Sequence, residues 1–289
     1  MFCPAISTIS YNPIFRKIRL LFILIFSLIS IHLNAQTLII DSTKVDSLTF
    51  SETRNKINLL PNDIFEKHVF TKNEKQLPYR LLLPNNYDKT KDYPLIIAFQ
   101  NSSRIGNDNE KQLEHLSKIW IREEIYNNYQ AYVIVPHFNE RSSIYEKDAD
   151  GRLTSKPFSD IQLVLDLLHH FQRTYQVDKN RIYLIGYSMG ASTAQHVLSI
   201  APHEFAAIVS VAPVPDFSRL ASLKKKNILL IHGKKDINNP YSGSEELFYI
   251  LKGNNQLIFK TYTELNHDNI TIPLLLGNEI PEWLFKQRK

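Results

Sequence analysis

The 289-residue sequence predicts an α/β fold, with one doubly wound, mostly parallel sheet of about eight strands and helices on both faces. Short, largely apolar runs recur at residues 94–99, 131–136, 181–185, 206–211 and 227–232, the first of them wholly apolar, as expected of strands covered on both sides. Helical patterns fall between several of them, which is the β–α alternation of a parallel sheet. Residues 65–70 and 77–83 flank the polar turn 71–75 and read as an antiparallel hairpin that opens the sheet.

In chain order, residues 1–36 read as a secretory signal. Arg16, Lys17 and Arg19 precede an apolar run over residues 20–31 that only Ser27 and Ser30 interrupt, and cleavage is expected after Ala35 or Gln36. An uncleaved anchor is the competing reading, but the run is shorter than the ~20 residues a span needs. The expected product is exported, periplasmic or extracellular, without stable membrane insertion. Residues 37–60 are polar and read as a flexible lead-in, so the folded domain is expected over 61–289. Residues 110–127 have helical periodicity, and 137–158 read as a polar loop. Asp148, Asp150 and Gly151 in that loop stop short of a calcium-ligand pattern. Residues 159–175 form an amphipathic helix with Ser159 as N-cap. A helix over 242–252 ends at Gly253, residues 256–265 make the last strand, and the stretch through Trp283 reads as helix.

Composition narrows the function. Residues 1–36 contain three basic side chains and no acidic one. The remainder therefore has 31 Lys and Arg against 29 Asp and Glu, which gives no footprint for nucleic acid. Cys3 is the only cysteine, so the mature chain has no thiol nucleophile, disulfide or cysteine-based metal site.

The chemistry centres on Gly186-Tyr187-Ser188-Met189-Gly190. The motif lies between the buried strand 181–185 and a helix over 191–198. In that context G-x-S-x-G is a strand–turn–helix elbow that lifts a nucleophilic serine above the sheet. A serine hydroxyl needs a base to take its proton and a third group to orient that base. Asp236 follows the strand 227–232, and His267 follows the last strand. Both stand downstream of Ser188 with room between them for the intervening helix and strand. Asp216, one strand earlier, is a rival acid; His232 is expected to support the acid loop. Oxyanion donors are expected from the Met189 N–H and from Asn101 or Ser102, in the loop after residue 99. No cofactor or metal is needed for this chemistry.

From about Gln76 to the C-terminus the chain resembles secreted α/β-hydrolases of the predicted-peptidase and polyhydroxybutyrate-depolymerase-like esterase group, relatives of the prolyl oligopeptidase hydrolase domain. Leu77-Pro78-Tyr79-Arg80-Leu81-Leu82-Leu83-Pro84 is similar to that group's opening strand. Asn85-Asn86-Tyr87-Asp88 with Tyr93-Pro94-Leu95 is similar to its next connection. The elbow, His232-Gly233-x-x-Asp236 and His267 match its nucleophile, acid and base motifs. The resemblance implies ester or amide hydrolysis through an acyl-enzyme, the esterase members acting often on plant cell-wall or other carbohydrate-linked acyl esters. Four positions depart from the group. Gln100 and Asn101 replace a His-Gly pair, with Ser103 at the next glycine, and Ala191 follows the elbow where many relatives carry glycine. The expectation is a secreted carboxylesterase acting on a small-molecule or carbohydrate-linked ester. A serine peptidase of the prolyl oligopeptidase type and a catalytically impaired binding protein are the alternatives.

Overall fold

Nine strands make the main sheet, and their order follows from which segments can be buried on two faces. The computed structural model describes residues 36–289; the signal-peptide reading of residues 1–36 lies almost entirely outside them. In chain order the elements are β1 (Thr37–Asp41), α1 (Ser47–Asn58), β2 (Glu66–Lys72), β3 (Lys75–Leu82), β4 (Tyr93–Phe99), α2 (His115–Lys118), α3 (Glu123–Asn128), β5 (Tyr132–Pro136), β6 (Ser143–Lys147), β7 (Leu153–Pro157), α4 (Ile161–Thr174), β8 (Val177–Tyr187), α5 (Met189–Ile200), β9 (Ala207–Val211), β10 (Asn227–Gly233), α6 (Tyr241–Ile250), β11 (Leu257–Tyr262), α7 (Ile272–Leu275) and α8 (Glu279–Phe285). The sheet runs β1-β11-β10-β9-β8-β4-β5-β3-β2. The β2–β3 and β3–β5 pairings are antiparallel, and the other pairings are parallel.

Strand periodicity divides the core into two layers. Leu95, Ile97 and Phe99 of β4 and Ile182 and Leu184 of β8 face one layer, where they meet residues of α4, α5 and α6. Ile96 and Ala98, with Tyr183 and Ile185, face the other, against Ile57 of α1, Ile125 of α3 and residues of α7 and α8. Every residue of β4, β5 and β9 is buried, which is why these strands read as unbroken apolar runs.

Four sequence expectations change. Residues 37–60 are no flexible lead-in: β1 adds a ninth strand beside β11, and α1 packs against α2 and α7, so the folded unit begins before residue 61. The Asp46 carboxylate caps α1 by accepting from the Thr49 N–H at 2.7 Å. Only Thr53 and Ile57 of α1 are buried, one turn apart, so the helix carries almost no apolar signature. Residues 110–127 are not one helix. Arg122 is extended between the turn 119–121 and α3, and its guanidinium donates to the Leu275, Leu276 and Gly277 carbonyls at the end of α7. Residues 137–158 contain the β6–β7 hairpin. Its serines bond to α5 and to the chain after β9, through Ser142–Thr193 (2.8 Å) and Ser155–Val214 (2.7 Å). Asp148 there pairs with Arg152 across the hairpin turn. Finally, Asp160 rather than Ser159 holds the N-cap position of α4, with its carboxylate turned to Lys75.

Candidate active site

Ser188 stands at the junction of β8 and α5 with φ 56° and ψ −123°, a left-handed-side conformation that L-residues rarely adopt. Its N–H donates to the Val211 carbonyl of β9 at 2.9 Å, which locks the turn to the sheet. Two glycines make the turn possible. A Cβ on Gly186 would lie 2.3 Å from the Gly190 carbonyl, and one on Gly190 would lie 2.2 Å from the Phe99 carbonyl oxygen of β4. Gly190 therefore lets α5 press against the end of the strand that carries the predicted oxyanion loop.

The acid and base loops are brought together in the same way. A Cβ on Gly233 would lie 2.3 Å from the Leu265 carbonyl oxygen, so the chain leaving β10 can touch the chain leaving β11. The Lys234 and Lys235 N–H groups then donate to the Tyr262 and Leu265 carbonyls at 2.8 and 3.0 Å. Across this contact His267 Nδ1 donates to Asp236 Oδ2 at 2.7 Å, and Ser188 Oγ lies 2.9 Å from His267 Nε2. Asp236 Oδ1 accepts from the Asn238 and Asn239 N–H groups at 3.0 and 2.9 Å. Burial alone would push the Asp236 carboxyl up. Hydrogen bonds from His232 and His267 outweigh it and hold the group well below the usual carboxylate range.

Surrounding residues position this chain. His232 Nε2 lies 3.1 Å from Asp236 Oδ2 and 2.9 Å from the Asn239 carbonyl, while its Nδ1 meets Ser244 Oγ of α6 at 2.7 Å. The Ser244 hydroxyl is thus placed to donate to Nδ1, leaving the proton on Nε2. The Tyr187 hydroxyl donates to the His267 carbonyl at 2.6 Å, and burial pushes that hydroxyl's pKa up. Asp216 goes elsewhere: its carboxylate lies 3.5 Å from His196 and accepts from Ser218, with no contact to His267. His196 in turn lies 3.1 Å from Ser143 Oγ. This second serine–histidine–aspartate chain is buried beneath the hairpin, with Ser143 and His196 both fully shielded from solvent.

Asn101 and Ser102, of the predicted oxyanion residues, share a cleft of about 190 Å³ with Ser188 and His267. Among the described residues, the Met189, Asn101 and Ser102 N–H groups have no acceptor. Asn101 uses its side chain to shape the loop. Its Oδ1 accepts from the Ser103 N–H at 2.9 Å, and its Nδ2 donates to Glu114. Gln100, at the first position that departs from the esterase group, is fully buried. It staples the loop to the end of β5 by accepting from the Phe138 N–H and donating to the Phe138 carbonyl, both at 3.2 Å. Arg54 of α1, Arg104, Glu114 and His115 complete one wall of the cleft. Nothing in the sequence marks them as site residues, because they carry no spacing motif and meet only through folding, Arg54 from α1, Arg104 from the loop after β4, and Glu114 and His115 from the start of α2.

A mostly parallel sheet with a serine on a strand–helix elbow, and an aspartate and a histidine beyond later strands, is the fold of the α/β-hydrolases. Residues 131–223, about a third of the chain, match the model of the prolyl oligopeptidase family. That segment runs from β5 past the elbow and ends before β10. Among solved structures, a thermostable esterase is similar at a TM-score of 0.69 with 23% identity, over 78% of this chain and 64% of its own. Dipeptidyl peptidase 4 of Porphyromonas gingivalis is similar at 0.57 with 17% identity, over 77% of this chain and 35% of its own. A ferulic acid esterase of the anaerobic fungus Anaeromyces mucronatus is similar at 0.55 with 16% identity, over 75% of this chain and 89% of its own. The chain thus spans less than two thirds of the first two structures. The likeness is one of fold, and the fold is shared by esterases and peptidases.

Proposed function

We propose that the protein is a serine hydrolase that cleaves carboxylic esters through an acyl-enzyme, with carbohydrate-linked acyl esters among its candidate substrates. The observation that carries this reading is the continuous chain from Ser188 Oγ through His267 to Asp236, at 2.9 and 2.7 Å. His267 Nε2 takes the serine proton as Oγ attacks the acyl carbonyl. Asp236 holds the proton on Nδ1 and stabilises the imidazolium that forms. The oxyanion is received by the Met189 N–H and by a donor in the Asn101–Ser102 loop. Collapse of the tetrahedral intermediate expels the alcohol, which takes its proton from His267. Water, deprotonated by the same imidazole, then attacks the acyl-enzyme and releases the acid.

Two measurements test this. A fluorophosphonate probe should label the wild-type protein at Ser188. Ser188→Ala should lose labelling and at least ~10³-fold in kcat on 4-nitrophenyl acetate, with its melting temperature close to wild type. Turnover that survives the substitution would remove Ser188 from the mechanism. A peptidase is the second reading, favoured by the family match over residues 131–223. Peptide anilides assayed beside aryl esters separate the two.

A further inference from the structure

The cleft beside Ser188 contains two guanidinium groups without a carboxylate partner. Arg54 and Arg104 both line it, and neither forms an ion pair among the described residues, whereas Arg80 and Arg152 do. Arg54 reaches the cleft from α1. Its guanidinium lies over the Phe50 ring at 4.9 Å, stands 3.3 Å from the His115 ring nitrogens and donates to the Asp268 carbonyl at 3.3 Å. These contacts fix the group while its Nε stays buried without a partner, as does the Nε of Arg104. Burial, and then the nearby Arg104 cation, disfavour the charge of the Arg54 guanidinium.

The acidic groups nearby leave that charge largely uncompensated. Glu114 is only 4% exposed, lines the same cleft, accepts from the Asn101 amide, and has one carboxyl oxygen without a partner. Burial pushes its carboxyl up to about 8, so at neutral pH it stands mostly as a neutral acid. His115 is pushed down to about 3 by burial and the neighbouring cations, so it adds no charge. Asp268 at the exposed rim is the remaining carboxylate, and it makes no ion pair with either arginine. A guanidinium presents a planar fork of N–H donors whose geometry matches a carboxylate.

We propose that the Arg54–Arg104 wall is a carboxylate subsite, and that the preferred ester carries a free carboxylate on the acyl or the alcohol part next to the scissile bond. This choice of substrate class rests on the serine-hydrolase reading; the subsite itself can be measured without turnover.

The test compares two substrate pairs. Mono-4-nitrophenyl glutarate against 4-nitrophenyl butyrate places the carboxylate on the acyl side, and 4-acetoxybenzoate against phenyl acetate places it on the leaving group. In at least one pair the wild type should favour the carboxylate ester at least ~10-fold in kcat/KM, chiefly through KM. Arg104→Gln and Arg54→Gln should each lower that ratio by ~10–100-fold, the range expected for a charge-assisted hydrogen bond. Arg54→Lys, which retains a cation on α1, should recover part of the ratio and guards against loss of α1 packing. No preference in either pair, or a ratio that neither Arg→Gln substitution alters, would overturn the subsite. Glutarate is also titrated calorimetrically into Ser188→Ala protein, with and without Arg104→Gln. Arg104-dependent binding in a protein whose wild type hydrolyses neither ester would uphold the subsite and reject the hydrolase reading. Ester turnover with no preference and no glutarate binding would do the reverse.

Discussion

Asp236 shows how much a single side chain organises. One carboxyl oxygen meets both His267 and His232, and the other takes two backbone N–H groups, so the acceptor sites of the group are directed at partners the fold supplies. The arrangement fixes the proton of His267 on Nδ1 and leaves Nε2 facing Ser188. An asparagine would offer Nδ1 either a weaker acceptor or a competing donor. Asp236→Asn should therefore lower kcat on 4-nitrophenyl acetate by ~10³–10⁴-fold with little change in KM, read from steady-state kinetics. A loss of under tenfold would mean that His232 or a backbone group orients His267 without the carboxylate. Ser188, Asp236 and His267 were legible in the sequence because each follows a buried strand and the chain order is that of the fold. His232 was visible as a companion of the acid loop, but its bonds to Asn239 and Ser244 depend on how α6 docks. Arg54 and Arg104 were not legible as site residues, since nothing in their neighbours separates an arginine lining a cleft from one in solvent.

At the scale of elements, the site is made by strand ends that approach closer than side chains allow. Gly190 seats α5 on the end of β4, Gly186 closes the elbow, and Gly233 joins the exits of β10 and β11. The atoms a new Cβ would meet are backbone carbonyls, which cannot rotate away. Gly190→Ala should thus destabilise the fold by at least ~1–3 kcal/mol, as overpacking does, which is ~2–10 °C in melting temperature for a chain of this size. It should also lower turnover more than stability alone explains, because β4 leads directly into the loop at Asn101 and Ser102. Scanning calorimetry and steady-state kinetics on the same preparation check both, and an unchanged melting temperature would show that β4 can move. The central strands were readable because burial on both faces leaves unbroken apolar runs. β1 and α1 were not, because β1 is an edge strand with exposed side chains and α1 buries only Thr53 and Ile57. The β6–β7 hairpin was hidden for a related reason: it is fastened by serine hydroxyls rather than by alternating apolar residues.

For the whole molecule, the cleft wall couples folding stability to pH. Glu114 keeps its proton in the folded state up to about 8, from an ordinary value of 4.5. Between those values the unfolded chain releases a proton that the folded chain retains, so the contribution of Glu114 is fully present below 4.5 and is lost as pH rises through about 8. His115 acts in the opposite direction. Its value falls from 6.5 to about 3, so its contribution is present above 6.5 and is lost as pH falls toward 3. The two oppose each other between 4.5 and 6.5, while from 6.5 to about 8 Glu114 acts alone. One proton held over that upper window corresponds to about 2 kcal/mol. Glu114→Gln keeps an acceptor for the Asn101 amide but has no proton to lose. Denaturant titrations of the two proteins at pH 6.5 and pH 8 should show wild-type stability falling relative to that of Glu114→Gln by an amount of that order. Parallel slopes in the two proteins would mean that Arg54 and Arg104 keep Glu114 ionised throughout, in which case the wall is an internal ion cluster whose charge is already matched.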